Sequence, residues 1–179
     1  MFSAFAVVRQ LHEMLWYLVE AAERATTSEL SEPVNQLRDE ILQTLAHDAS
    51  EIITSDVEHI RAAVRQVLIE VSDEARGGYA AAEADMSDLR PSADLVGRDL
   101  RSIRLCGADL RGAYLIAADL RQSDLAGVDL LGADLRDARL DGADLSNALF
   151  LTQLQVDAAQ GDNATLLPAA LSRPRHWIA

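Results

Sequence analysis

The chain contains no lysine, and all 16 of its basic residues are arginine. That absence removes the P-loop lysine, the Schiff-base lysine and the β3 lysine of protein kinases, and with them the commonest nucleotide-dependent and imine chemistries. Cysteine is nearly absent as well. Cys106 stands alone, so no internal disulfide can form, and the reducing environment of the cytoplasm is the expected setting. The four histidines, His12, His47, His59 and His176, fall in separate segments without zinc-ligand spacing, so neither a metal nor a cofactor is expected. Basic charge is scarce against a formal net charge of -13, and an acidic surface repels phosphate backbones, so direct nucleic-acid binding is not expected. No apolar run approaches membrane-spanning length. Met1 to Val8 is apolar but lacks the basic start of a leader and is soon interrupted by Arg9, His12 and Glu13, so no membrane role is expected.

What the chain does have is apolar content, 49%, and a period. From Ala93 it reads ADLVG, RDLRS, IRLCG, ADLRG, AYLIA, ADLRQ, SDLAG, VDLLG, ADLRD, ARLDG, ADLSN, ALFLT, twelve uninterrupted units of five ending at Thr152. Leucine holds the centre of each unit from Leu95 to Leu145, and Phe150 is expected to close the series. A period of five fits neither a helix nor a strand, so the chain must turn at every unit, with the bulky centre and the small residue two before it facing inward. Ala93, Ala108, Ala113, Ala118, Ser123, Ala133, Ala138, Ala143 and Ala148 fill the small site, while Arg98, Ile103 and Val128 depart from it. The aspartate before each leucine is expected to satisfy nearby backbone at a corner, so its abundance is no sign of acid-base catalysis.

These units resemble the pentapeptide-repeat family, which implies a short right-handed quadrilateral β-helix with four units per coil. Twelve units then make about three coils, a tube roughly 15 Å tall at about 4.8 Å per coil, short enough to need covered ends. Thr152 to Trp177 also resembles a recurrent tail of that family, matching at Thr152, Gln155, Ala159, Gly161, Asp162, Thr165, Leu167, Pro168, Arg173, Pro174, His176 and Trp177. Within it Thr152 is suited to N-cap a short helix over 153–160, with Gly161 ending that helix in the left-handed conformation. Leu154, Val156, Leu166 and Leu167 are expected to cover the open apolar end of the tube, and a ligand site around His176 and Trp177 is the functional alternative.

Upstream the period changes. Ala4, Val8, Leu11, Leu15, Leu18 and Ala22 are spaced 4, 3, 4, 3, 4, which predicts a helix from about Phe2 to Arg24 with one apolar seam. The same spacing recurs at Ile53, Val57, Ile60, Val64, Val67 and Val71, in a helix that Gly77 and Gly78 can terminate. Between them Ser31 and Pro33 suggest a helix start carrying Val34, Leu37, Ile41 and Leu45, and Asp48 with Glu51 suggests a capping box before the last helix. Without that break, 33–76 would be one helix of roughly 65 Å. The expected organisation is a helical region over 1–78, either a bundle or a coiled coil, a linker or degenerate entry coil over 79–92, the repeats over 93–152 and a small helical cap over 153–179.

No catalytic, cofactor-binding or metal-binding residue is assigned. Asp56, Glu58 and His59 share a helix but point to different sides, and Cys106, whose pKa Arg104 is placed to lower, is given no role. If a coil is twenty residues, Arg104 stacks under Asp124 and Asp144, Asp119 under Arg139, Val96 under Ile116 and Leu131 under Leu151, which gives exposed ion pairs and two small apolar ladders. The resemblance also implies a rival function, inhibition or protection of DNA gyrase by an acidic tube that mimics duplex DNA. Between Ala93 and Thr152, however, ten aspartates face seven arginines, net -3, whereas Met1 to Ala80 carries fourteen acids and six arginines, net -8. The acidity sits mainly in the helices, which disfavours the mimic. The leading expectation is a non-enzymatic protein-protein interaction or scaffold module, with a protein partner or a homodimer formed through the N-terminal helices.

Overall fold

A computed structural model describes residues 2–47, 57–79, 88–101 and 103–178, with side chains from Phe5 onward. It divides the chain into two compact units, Met1–Ala75 and Arg76–Ala179.

Among the described residues the first unit carries three helices: α1 (Phe2–Arg24), α2 (Ser28–Leu45) and α3 (Val57–Gly77). The α1 bounds match the periodicity, but its buried stripe does not. Leu11, Met14, Tyr17, Leu18 and Ala21 are buried, whereas Val8, Leu15 and Ala22 are only half-buried. The expected seam is therefore rotated about Leu11 and Leu18. The buried face is broader than a coiled-coil stripe, as on a helix packed within its own chain. α2 packs on α1 and buries Val34, Leu37, Ile41 and Thr44, with Thr44 in place of the expected Leu45 and its hydroxyl donating to the Glu40 carbonyl at 2.9 Å.

α2 begins three residues before the expected Ser31, because the Ser31 amide already donates to the Thr27 carbonyl at 3.0 Å. Pro33 is held inside this helix at the loss of one amide donor, near enough to the N-terminus to be tolerated. Ala46 and His47 have left the helix, so a single helix over 33–76 does not form. The Asp48 and Glu51 capping box lies outside the described residues, as do Ile53 and Asp56. On α3 the expected Val57, Ile60, Val64, Val67 and Val71 are all buried, joined by Leu68 and Ser72. No helix among the described residues is long and apolar enough to cross a membrane.

The second unit is a solenoid of twenty-residue coils. Parallel bridges join Asp94 to Tyr114, Asp99 to Asp119, Asp109 to Asp129, Tyr114 to Asp134, Asp119 to Arg139, Asp124 to Asp144 and Asp129 to Leu149, each pair twenty apart. They are isolated bridges, and among the described residues no extended strand or sheet forms. The reason is the length of a side. In each unit the carbonyl of the central leucine accepts the amide three residues on, as in Ala113 to Leu110 at 3.0 Å, and this corner leaves only a short straight stretch to pair with the next coil.

At most corners the third position takes positive φ, which glycine fills at Gly97, Gly112 and Gly132. Ala117, Gln122 and Asp137 adopt the same conformation with a side chain. The central leucines from Leu95 to Leu145 are at most 1% exposed, and burial of each contributes about 1.5 to 3 kcal/mol.

Both ends depart from the repeat. At the entry Leu89, one residue off register, joins the core, while Arg98 and Ile103 in small-residue positions stay exposed; Val128 fits inside. At the exit Phe150 does not continue the leucine column. Its backbone takes φ 57, which shifts the register by one residue, and Leu151 enters the core cluster in its stead. Phe150 is buried outside that cluster.

The tail then adds a partial, irregular coil. Gln160 bridges Arg139, Leu166 bridges Asp144, and the short helix α4 (Gln153–Ala158) fills the gap between them and the last repeat. Thr152 caps α4 in a reciprocal box with Gln155, as its sequence suggests. Gly161 does not take the left-handed conformation expected of it, and Ala159 ends the helix in extended geometry. Gly161 is needed for space, since a methyl group there would lie 2.7 to 2.9 Å from three atoms of the Trp177 ring. Leu154 and Leu166 do not cover the tube end, being 78% and 50% exposed; Val156, Ala159 and Trp177 do, with Leu167 and Leu171 packed against them.

Candidate functional site

Each repeat face is built by a short local rule. The aspartate before the leucine turns its carboxylate back onto the amide two residues later, as Asp99 does to Arg101 at 3.2 Å and Asp129 to Leu131 at 2.9 Å. Where that later residue is arginine, its guanidinium closes a fork on the same carboxylate. Asp119 accepts Nε and Nη2 of Arg121 at 2.8 and 2.6 Å, and Asp99 does the same for Arg101 at 2.9 and 2.6 Å. Asp109 with Arg111 and Asp134 with Arg136 repeat the arrangement. Sequence spacing of two residues gives no hint of these pairs if only columns between coils are sought; the signal was the recurring ADLR string.

Of the inter-coil columns, Arg139 does reach Asp119, at 3.7 Å, and Arg101 reaches it at 3.6 Å from the other side. Arg104 makes no ion pair with Asp124 or Asp144. Arg101, Arg121 and Arg139, with Gln122, Asp141 and Asp162, line an open depression of about 360 Å³. Two of its arginines are forked, Arg101 on Asp99 and Arg121 on Asp119, and the Asp162 carboxylate accepts the amides of Gly142, Ala164 and Thr165 at 2.9 to 3.0 Å.

The guanidinium beside each of Asp99, Asp119 and Asp134 holds its carboxyl below the ordinary range, and for Asp99 the pKa falls to about 2. For Asp109 burial works upward, but the Arg111 hydrogen bond and charge outweigh it. Groups whose folded pKa is lowered contribute stability above their unfolded value of about 4, and lose it as pH falls through the folded value. The urea midpoint is therefore expected to hold down to about pH 4 and to fall between there and about pH 2, only modestly because the forks are largely exposed, with Arg101→Ala making that fall smaller.

A second column, Asp109, Asp129 and Leu149, is covered. Asp129 and Leu149 are fully buried, and Arg111 spans from Asp109 to Asp129 at 3.6 Å. Within the same unit Arg76 approaches Asp109 at 3.5 Å, and the Tyr79 side chain lies on the corners at Gly107 and Gly127. The expected apolar ladders fare differently. Val96 is half exposed below a partly buried Ile116, whereas Leu151 has turned inward with the register shift at Phe150.

The residues weighed for chemistry do not converge. Glu58 and His59 are exposed on α3, Glu58 pairs with Arg61 at 3.0 Å, and Asp56 lies outside the described residues. Cys106 donates to the Asp124 carbonyl at 3.6 Å, and burial pushes its thiol up, against the lowering expected from Arg104. No group of three metal-ligating side chains occurs among the described residues. His176 and Trp177 both turn a ring nitrogen to the Ala159 carbonyl, at 3.0 and 2.9 Å, so they serve the cap. The outward apolar residues of the helical unit, Phe5, Trp16, Val19 and Leu42, are 39 to 71% exposed and lie off the more apolar seams that the periodicity marks.

Coils of four five-residue sides with an inward leucine column define a repeat solenoid. The family model for pentapeptide repeats matches 92–126 and 113–150 in eight copies, and this segment belongs to the pentapeptide-repeat family. The chain is 47% identical over 177 residues to "Uncharacterized protein YybG" of Bacillus subtilis (strain 168), a match covering 99% of this chain and 63% of that protein, so it spans less than two thirds of that relative's length. Among solved structures it is similar to a pentapeptide repeat protein (Rfr23) from the cyanobacterium Cyanothece 51142, with 28% identity, coverage of 50% of this chain and 69% of the other, and a TM-score of 0.32.

Proposed function

We propose that this chain is a non-enzymatic interaction module of the cytoplasm, in which the helical unit makes the protein-protein contact, with a second copy or another helical protein, and the repeat unit is a rigid, self-saturated support. The tube is read as the right-handed quadrilateral β-helix of its family, a reading supported by the twenty-residue spacing of its bridges. The observation that carries the functional reading is the outward face of α1, where Phe5, Trp16 and Val19 stay 39 to 71% exposed along one helix. On the repeats Arg101, Arg111, Arg121 and Arg136 are each held in a fork by an aspartate of the same unit, although Val96, Tyr114, Leu154 and Leu166 are exposed there as well. The same forks argue against a duplex-DNA mimic, because arginines at 101, 111, 121 and 136 interrupt any continuous negative ladder.

Sedimentation equilibrium of the intact chain, paired with hydrogen exchange at dilute and concentrated conditions, tests this. A concentration-dependent assembly with added protection confined to 2–77 is expected. Protection confined to 92–150 would transfer the contact to the repeats and overturn the assignment.

A further inference from the structure

The stripe that suggested a coiled coil is used up inside the chain, but α1 carries a second one. Phe5, Arg9, His12, Trp16, Val19 and Glu23 are spaced 4, 3, 4, 3, 4, and all six are exposed. Phe5 is 71%, Val19 53% and Trp16 39% exposed, so this is an apolar seam facing water, with a cation toward its start and an anion at its end. Neither Arg9 nor Glu23 has an ion-pair partner among the described residues, whereas the neighbouring Glu20 is already held by Arg24 at 2.9 Å.

We propose that this seam pairs with the same seam of a second copy, antiparallel and about a two-fold axis, forming a homodimer through α1. This deepens the interaction reading above and rests on it.

The charges choose both the occupant and the direction. In the antiparallel arrangement His12 lies across from the second copy's Trp16, Arg9 across from its Val19, and Phe5 across from its Glu23. The aliphatic stem of Arg9 then covers Val19 while its guanidinium reaches Glu23, one helical turn or about 5.4 Å further on. Two-fold symmetry makes each contact twice. A parallel pair would stack Arg9 on Arg9 and Glu23 on Glu23, which is repulsive at both ends. The seam is therefore self-complementary in one direction only, which a partner of unrelated sequence would not require.

The test is sedimentation equilibrium on the intact chain and three exposed-site variants, with circular dichroism showing that each stays helical. Wild type is expected to dimerise, Trp16→Glu to be monomeric, and Arg9→Glu to weaken the dimer by about tenfold. Adding Glu23→Arg to Arg9→Glu restores the opposite-charge contacts and is expected to recover most of that loss. A dimer that survives Trp16→Glu overturns this seam yet leaves association through another part of the chain standing. A dimer lost in Trp16→Glu but indifferent to Arg9→Glu overturns the antiparallel register. A wild-type monomer at every concentration overturns both this inference and self-association.

Discussion

Replacing Leu120 with aspartate is expected to abolish the folded repeat unit. Leu120 sits in the middle coil, 1% exposed, with Leu100 in the coil before it and Leu140 in the coil after it, so no end of the tube is near enough to admit water. Truncation alone, Leu120→Ala, should cost about 3 to 5 kcal/mol, because a narrow tube whose walls are tied by amides to both neighbouring coils cannot collapse onto the gap. The Leu120 amide donates to the Arg139 carbonyl at 2.9 Å and its carbonyl accepts from Ser123, so the backbone is held at that point. Aspartate adds an unpaired buried charge, about 3 to 5 kcal/mol more, and the two together match the whole stability of an ordinary domain, about 5 to 15 kcal/mol. Urea titration followed by circular dichroism should show a weakened transition for Leu120→Ala and none from the repeats in Leu120→Asp. Asp124→Leu, an exposed substitution in the next unit, is the contrast: it removes one carboxylate bonded to the Ala126 amide and should cost about 1 kcal/mol.

The sequence made the middle of each unit legible and left the ends obscure, for a physical reason. Between Ala93 and Leu145 every unit obeys the same constraint, an inward leucine and a turn three residues on, so one unit predicts the next. At Phe150 the constraint is released. A positive φ at a non-glycine residue costs about 1 to 3 kcal/mol, and nothing in the string ALFLT announces that the cost is met by bringing Leu151 inward. The same applies to Gly161, where glycine was read as a backbone device and is a space device, which only the position of Trp177 reveals. On the helices, α1 was bounded correctly, but its buried stripe is rotated because Leu11 and Leu18 belong to either of two overlapping heptad readings. Periodicity fixes that a face exists, while packing decides how wide it is. The outward seam was legible as spacing but masked by its mixed chemistry, since Arg9, His12 and Glu23 interrupt the apolar residues. The cluster of Arg101, Arg121 and Asp119 depends on the coil length and the in-unit fork at once, and the twenty-residue period carries only the first.

Trp177→Ala is expected to have the second largest effect, and it acts on the opposite weakness of a short solenoid, its open end. The indole is 2% exposed, lies flat against Gly161, and donates to the Ala159 carbonyl at 2.9 Å, so truncation removes a large buried side chain and should cost about 3 to 5 kcal/mol. Trp177→Phe keeps much of the ring contact and loses the donor, about 1 kcal/mol, with His176 still on that carbonyl. Gly161→Ala tests the same contact from the other side. Its methyl would sit 2.7 to 2.9 Å from the ring, and because Gln160 is bridged to Arg139 the backbone cannot withdraw, so the ring must leave. The two losses are therefore one event. Gly161→Ala should cost nearly as much as Trp177→Ala in the wild-type chain and almost nothing once Trp177 is already alanine, a coupling that urea midpoints of the four proteins would measure. Additive costs would mean that the glycine serves the backbone after all. With the ring gone, the backbone carbonyls that Gln155 and Thr165 now satisfy, at Leu130, Ala133 and Leu140, are less protected, and exposed pairing edges of that kind associate. Trp177→Ala should accordingly aggregate under conditions in which Trp177→Phe does not.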